Sequence, residues 1–331
     1  MIITRTPFRV SFFGGGTDYP AWYEKNGGAV LSASINKYCY ITCRHLPPFF
    51  EHKSRIVWSK IESVKEPREI QHPLVREILQ YLDVKDGVEI HHDGDLPARS
   101  GLGSSSSFAV GLLNALYALN GKVVTKRQLA LDAMHVEQER LKEHVGSQDQ
   151  AIAAFGGFNR IEFGGPHKIT VSPMTLTSER LRTLQDHLML FFTGISRFSS
   201  EVAAEQVNNI EKRQAELRMM HQMVDEAVTI LSGDAPLGDF GKLLNDGWKL
   251  KKSLSSQITS PAIDEIYNAA CEAGALGGKL LGAGGGGFIL FFVPPEKQQR
   301  VRDRLKHLLY VPFRFENLGS QVIYYGPTDN L

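Results

Sequence analysis

The sequence predicts an α+β chain of two lobes, and three observations carry the prediction. The chain has 331 residues, which at roughly 100–200 residues per domain gives two domains. Short β-like runs alternate with amphipathic helices in both halves. Between the halves, at residues 172–186, turn residues and charge cluster and the texture changes. The boundary is set at 178/179, giving lobes 1–178 and 179–331.

In the first lobe, Tyr38–Cys43 and Val88–His91 read as strands. Ser104–Leu119 reads as a helix, with Phe108, Leu112, Leu116 and Leu119 on one face. Lys126–Lys142 is a second helical stretch, opened by an N-cap at Thr125. In the second lobe, His187–Thr193 reads as a strand. Ser200–Leu231 reads as one long helix, striped by Val207, Ile210, Leu217, Val224, Val228 and Leu231. Helices at Leu237–Leu254 and Pro261–Ala273 follow. A glycine-rich loop, the strand Phe288–Val293, a helix at Pro295–Leu309 and two terminal strands complete the chain. There is no fixed-period repeat and no low-complexity tail.

Composition narrows the function classes. Hydrophobic residues make up 42% and charged residues 22%, enough for a real core. The formal charge of +1 gives no global electrostatic case for nucleic acid or an anionic membrane, and a local basic pocket for a phosphorylated ligand stays open. The three cysteines, Cys39, Cys43 and Cys271, form no C-x-x-C pair, which excludes a disulfide framework or zinc ribbon. Residues 1–10 carry Arg5 and Arg9 but lead into no apolar segment of the signal-peptide kind. No apolar run approaches the roughly 18 residues of a membrane span. A reducing cytoplasm is the expected location, and the oligomeric state is left open.

Glycine-rich segments carry the chemistry. None is a Walker A loop. Gly282-Ala-Gly284-Gly-Gly-Gly287 spells the letters of a dinucleotide fingerprint, but a strand follows it where that fingerprint needs a helix. The central segment runs from Asp95 through Pro97, Gly101, Leu102, Gly103, Ser104, Ser105 and Ser106 to Ser107, straight into the Ser104–Leu119 helix. Glycines there let backbone approach a ligand. The first-turn amides lack intrahelical acceptors, and the dipole is positive at that end. The pattern is that of an anion site, or of a small-residue packing turn.

The segment Pro97–Ser105 resembles the second motif of the GHMP kinases (galactokinase, homoserine kinase, mevalonate kinase, phosphomevalonate kinase). Their first motif is matched by Pro7-Phe-Arg9-Val-Ser-Phe-Phe-Gly14-Gly-Gly-Thr17-Asp18-Tyr19. Their third is matched by Lys279-Leu-Leu-Gly282-Ala-Gly284-Gly285-Gly286-Gly287. All three stand in the right order. A fourth segment, Gly146-Ser-Gln-Asp149-Gln150, looks like the family's catalytic aspartate segment.

The resemblance implies a two-lobed kinase. Its N-terminal α/β lobe would hold a left-handed βαβ unit, unusual against the right-handed rule, and its C-terminal lobe would be ferredoxin-like. ATP is the implied phosphoryl donor, with Mg²⁺ as its ion. Asp149 would face the acceptor hydroxyl as base or orienter, and Arg9 would stand near it as the basic partner. Glu137, twelve residues before Asp149, would hold Mg²⁺ together with Ser105, with Ser104 as the rival serine. Gly15, Gly16, Thr17, Asp18 and Arg197 would face the substrate.

The acceptor follows from departures within the pattern. Galactokinase commonly has an acid where this chain has Gly15, which sets galactose aside. Gly-Gly-Gly-Thr-Asp-Tyr, Gly-Ser-Gln-Asp-Gln and Thr193-Gly-Ile-Ser-Arg197 together look like the branch containing D-glycero-D-manno-heptose 7-phosphate kinase, with fucokinase as a neighbour. That implies phosphorylation of the anomeric hydroxyl to the 1,7-bisphosphate, feeding nucleotide-activated heptose. A second basic pocket would hold the 7-phosphate, with Arg44, Arg99, Lys168 and Arg197 as candidates. A non-catalytic sensor of sugar and ATP is the reading from another class, and the intact set Arg9, Ser105, Glu137 and Asp149 speaks against it.

Overall fold

A computed structural model describes residues 1–98, 100–165, 168–195 and 199–326, the side chain of residue 199 excepted. The first lobe opens with β1 (Ile2–Phe13), α1 (Pro20–Asn26) and β2 (Gly28–His45). It continues with β3 (Ser54–Val57), β4 (Ile61–Val64), α2 (Pro73–Tyr81) and β5 (Val88–Gly94). Then come α3 (Ser104–Leu119), α4 (Lys126–Met134), α5 (Gln148–Phe155), β6 (Phe158–Phe163) and β7 (Ile169–Pro173). The second lobe has α6 (Ser178–Asp186), β8 (Leu188–Phe192), α7 (Ser199–Asn209), α8 (Gln214–Ser232), α9 (Leu237–Ser253) and α10 (Pro261–Ala273). It ends with β9 (Gly277–Leu280), β10 (Phe288–Phe292), α11 (Gln298–Arg304) and β11 (Leu309–Tyr310), before β12 (Gln321–Tyr325).

The large sheet runs β12-β1-β2-β5-β3-β4, with β6 and β7 added along the first half of β2. The long β2 is its spine. Gly28–Ala33 pairs with β6 and Cys39–His45 with β5. The pairing of β3 with β5 is parallel, and α2 makes the crossover. Helix α3 lies against β1 and β2 and is buried nearly all round, from Ser106 to Leu113. Its burial is thus wider than the single face of Phe108, Leu112 and Leu116 that periodicity marks.

The small sheet runs β11-β8-β10-β9, all antiparallel. Counted within the lobe, this is the order 4-1-3-2, with helices after the first and third strands. That is the expected ferredoxin-like arrangement. The final strand leaves this lobe: β12 pairs with β1, Ile2 opposite Tyr325. A single cut of the chain therefore does not separate the two sheets.

Several elements differ from the sequence reading for physical reasons. The long helix expected over Ser200–Leu231 is interrupted after Asn209 by a 3₁₀ turn, and α8 restarts at Gln214. Leu217, Val224 and Leu231 remain buried on α8, so the stripe continues across a break that periodicity alone does not register. The stretch after α4 continues as a π-helical turn over His135–Arg140. Thr125 caps α4 as expected, accepting from the Gln128 amide at 3.1 Å. The helix expected over Pro295–Leu309 is a short 3₁₀ turn followed by α11.

The lobes meet through core and through backbone. Phe12 and Phe13 of β1 pack edge-on against Phe240 of α9, at 5.5 and 5.2 Å between ring centroids. The loop Leu281–Gly287 lies directly against Ser100–Leu102. The Phe288 amide donates to the Ser100 carbonyl at 3.1 Å. A Cβ on Gly287 would fall 2.2 Å from the Ser100 carbonyl oxygen, and one on Gly101 would fall 2.5 Å from that of Leu281. The contact requires glycine at 101 and at 287. We expect Gly287→Ala, at φ +96°, to cost about 1–3 kcal/mol from the strained conformation alone, with the overlap added. Chemical denaturation would register this as a lower midpoint.

Candidate functional site

Arg9 organises the junction of β1, the Gly101 turn and α5, beside the contact of the two lobes. Its Nε donates to Asp149 Oδ1 at 2.7 Å and its Nη2 to Oδ2 at 2.8 Å. Its Nη1 donates to the Gly101 carbonyl at 2.6 Å, and its amide donates to the Leu102 carbonyl at 3.1 Å. One residue thus ties β1, the Gly101 turn and α5 together. A planar guanidinium is suited to this two-pronged grip. The Arg9 side chain is 5% exposed and that of Asp149 24%, so the pair is sealed behind and open in front.

The start of α3 faces the same opening. Its N-cap, Gly103, has φ 74°, provides no side-chain cap, and no acid occupies the first turn. No side chain of the turn itself caps the helix, and its positive end is met instead by carboxylates from other elements, Asp149 and Glu137. A Cβ on Gly103 would lie 3.3 Å from both Arg9 Cγ and Asp149 Oδ2, which fixes the helix start beside the carboxylate. Leu102 is fully buried and anchors the turn. Pro97 is exposed.

Glu137, in the π-helical turn, is fully buried. Ser105 Oγ donates to its Oε1 at 3.0 Å, and Ser106 Oγ to its Oε2 at 2.8 Å. Gln150 Nε2 donates to Oε2 at 2.6 Å. The expected Ser105–Glu137 pair is thus formed, and the second serine is Ser106. Burial pushes the carboxyl up to about 7, against the lowering effect of the Ser106 and Gln150 hydrogen bonds. An insertion in helical register of this kind is often found at functional sites.

The residues of the first glycine motif divide. Asp18 is buried; it accepts from the Gly16 amide at 2.9 Å and from Gln148 Nε2 at 2.9 Å. Burial raises its pKa, and the nearby Asp149 charge adds to the rise. The Thr17 hydroxyl is committed to the turn, donating to the Gly14 and Ala29 carbonyls at 2.8 and 2.9 Å. Thr17 is completely buried, so it braces the turn rather than facing a ligand as the sequence suggested. Gly15 is partly exposed and Gly16 buried.

In the third motif, Gly282, Gly284 and Gly285 all have positive φ. A Cβ on Gly286 would fall 2.3 Å from the Ile195 carbonyl oxygen. These glycines serve close backbone approach.

The candidates for a second basic pocket also separate. Arg197 and Arg99 lie outside the described residues. Arg44 is paired with Glu89, Nε to Oε2 at 2.7 Å. Its strand neighbour Cys43 pairs with Ile2, seven residues along β1 from Arg9, which at ~3.3 Å per residue puts it roughly 20 Å from the cleft. Lys168 lines a cavity of about 440 Å³ beside Tyr19, with His135, His144, Glu24, Glu139 and Glu143 also in its wall.

Two features escaped the sequence reading. Trp58, His72, His92 and Phe108 form an aromatic cluster. His72 stacks on Phe108 at 5.1 Å, and Trp58 meets His72 edge-on at 4.8 Å. Phe108 sits one turn beyond Ser104. The second feature is a pair of buried lysines, Lys251 on α9 and Lys279 on β9. Periodicity assigns charged residues to solvated faces, so the burial of neither is legible, although Lys279 heads the third motif. His91 contacts Glu89, and His92 meets Phe108 edge-on. Among the described residues no group of three or more His, Cys, Asp or Glu could hold a metal ion, and no helix is long and apolar enough to cross a membrane.

Comparison with known proteins agrees with this geometry. The GHMP kinases N terminal domain matches residues 71–157, and the GHMP kinases C terminal domain matches residues 235–311. The chain is 28% identical over 297 residues to a D-glycero-alpha-D-manno-heptose 7-phosphate kinase of Campylobacter jejuni, covering 86% of each. It is 28% identical over 342 residues to a galactokinase of Pyrococcus furiosus, covering 92% of each. A crystal structure of a D-glycero-D-manno-heptose 1-phosphate kinase from Bacteroides thetaiotaomicron superposes with a TM-score of 0.79 at 25% identity, covering 98% of this chain and all of that one. With both of the family's domains matched and its fold reproduced over nearly the whole length, the chain is a member of the GHMP kinases.

Proposed function

We propose that this chain is an ATP-dependent sugar kinase that phosphorylates the anomeric hydroxyl of D-glycero-D-manno-heptose 7-phosphate. The observation that carries the kinase reading is the juxtaposition of three parts. These are the Arg9–Asp149 fork, the uncapped start of α3, and the Ser105–Glu137–Ser106 cluster. The acceptor is supported by the likeness to the Campylobacter jejuni heptose 7-phosphate kinase. The lobes are taken as 1–178 and 179–331, with β12 returned to the first.

The roles follow from position. The triphosphate of ATP lies at Gly101, Gly103, Ser104, Ser105 and Ser106, where amides and the dipole favour anions, with Pro97 and Leu102 shaping and anchoring the turn. The base rests against Trp58, His72 and Phe108, within reach of that turn. Asp149, oriented by Arg9, faces the acceptor hydroxyl and takes or directs its proton. Arg9 adds positive charge where the transferring phosphoryl carries its negative charge. Asp18, with Gly15 and Gly16 beside it, orders the sugar hydroxyls. Arg197 and Lys168 are the proposed contacts to the distal phosphate.

Hard oxygen donors at Ser105 and Glu137 fit Mg²⁺. The ion would be held there and would neutralise phosphate charge. The chain's own contribution is a preset carboxylate, kept in place by Ser106 and Gln150.

Phosphorus NMR of reactions with MgATP tests the acceptor. A new anomeric-phosphate signal with heptose 7-phosphate, and none with fucose or mannose, is expected. Turnover of fucose alone would move the acceptor to the fucokinase reading. No turnover of any sugar, in protein that binds ATP, would favour the sensor.

We expect Asp149→Asn to lower turnover by roughly 10²–10⁴ while ATP binding survives, measured by steady-state kinetics beside calorimetric titration. Glu137→Gln should separate stability from function. The carboxyl titrates near 7 when folded against 4.5 free, so the fold binds more protons than the unfolded chain between those values. Its contribution to stability therefore declines as pH rises from about 4.5 to 7, and the charged form is a burden above that. The neutral amide removes the burden. At pH 8 the variant should melt no lower than wild type in the absence of Mg²⁺, yet lose at least about tenfold in turnover.

A further inference from the structure

Lys251 and Lys279 are 4% and 5% exposed, and neither makes an ion pair among the described residues. Lys279 Nζ donates to the Phe12 carbonyl at 2.8 Å, tying β9 to β1 across the lobe boundary. Lys251 Nζ donates to the carbonyls of Gly282 and, at 3.4 Å, Leu280. Gly282 is the residue whose missing Cβ would sit 2.6 Å from Gly101 Cα. Gly101 in turn accepts from Arg9. Lys251 therefore stands one backbone layer behind the Arg9–Asp149 fork.

A buried ammonium without a carboxylate partner costs several kcal/mol. A methionine of similar length would fill the same space and hold no such penalty. The charge needs a reason. The charged groups that face Lys251 are Arg9, Asp18, Asp149 and Lys279. Three cations against two carboxylates leave one positive charge. Burial pushes Lys279 and Asp18 each toward its neutral form, and neutralising both removes one charge of each sign. With both neutralised, Arg9 and Lys251 against Asp149 still leave one positive charge, at the place proposed to receive a phosphoryl group.

We propose that Lys251 is a positioning residue for phosphoryl transfer: its ammonium holds the Gly282 loop beneath the Gly101 turn and supplies the excess positive charge that the transferring group meets. This rests on the reading of Asp149 as the group facing the acceptor.

The test uses turnover against pH with MgATP and the acceptor identified by phosphorus NMR. Burial, with the Arg9 charge adding to it, pushes Lys251 down to about 8 from 10.5. Turnover should fall as pH rises through about 8. Stability moves the other way. The folded state gives up this proton before the unfolded chain does, so the contribution of Lys251 to stability rises between about 8 and 10.5. A loss of activity there without a loss of melting temperature is the expected signature.

Lys251→Met should lower kcat at pH 7 by at least about tenfold with little change in the KM for ATP, melt no lower than wild type, and lack the alkaline limb. Lys251→Arg should recover most of the turnover and carry it past pH 9, because a guanidinium stays charged. Unchanged turnover in Lys251→Met, or a limb still near 8 in Lys251→Arg, overturns the proposal. Asp149→Asn is run beside them. If it retains turnover, the reading of the site falls. If it loses turnover while Lys251→Met does not, only the role of Lys251 falls.

Discussion

Two glycine-rich turns from opposite lobes lie backbone to backbone, and most of the cleft depends on that contact. Ser100 and Gly101 come from the segment before α3; Leu281, Gly282 and Gly287 come from the loop between β9 and β10. At such range no side chain fits between them, so the partners of the turn must be main-chain groups and long side chains reaching in from elsewhere. Arg9 reaches from one side to the Gly101 carbonyl and Lys251 from the other to that of Gly282. The N-terminus of α3 is thereby held at a fixed distance from Asp149. Rigid placement of this kind lets electrostatics act on a transferring group without reorganisation.

The same arrangement accounts for the mixture of buried charges. Glu137, Asp18, Lys251 and Lys279 are all buried, and a fold selected for stability alone would replace several of them. Each is instead held by hydrogen bonds: Glu137 by two serines and Gln150, Asp18 by the Gly16 amide and Gln148, the lysines by carbonyls. Burial drives each toward neutrality. A polyanionic ligand with its cation changes that balance. The penalties these groups carry are offset when charge of the opposite sign is bound beside them.

The parts of this site that were legible in the sequence are those where chemistry forces a residue type. Glycines at 101, 282 and 287 answer to backbone approach. Serines at 105 and 106 follow from a helix start that must present donors. The Ser105–Glu137 pair was anticipated from motif spacing, and the α3 and α10 boundaries fell where capping and periodicity put them. What stayed hidden depends on tertiary partners. Lys251 sits in Lys249-Leu-Lys251-Lys252, which reads as a solvated helix end, and only packing against β9 shows one of the three to be buried. Arg44 looked equal to other arginines until strand register carried it to the far end of β1. The return of β12 to the first sheet rests on long-range pairing, for which a five-residue strand carries no local signal.

Thr17 and Gly15 sharpen what the first motif is for. Thr17 satisfies two carbonyls and never reaches the cleft. Gly14 has no choice of residue: its φ is +81°, and a Cβ would fall 1.9 Å from the Ala29 carbonyl oxygen. Gly15 is different. It has no positive φ, and a Cβ there would meet only Gln148 Nε2 at 3.7 Å and Ser11 Oγ at 4.0 Å. Backbone geometry therefore permits a side chain at this position, and the chain carries none. Gln148 is the neighbour of Asp149 and the partner of Asp18, so the space left by Gly15 opens beside both carboxylates. An acid at that point would add a third negative charge next to two, in a cleft whose remaining cations are already engaged. Leaving it out keeps room and positive potential at that point, which suits the phosphorylated acceptor proposed above.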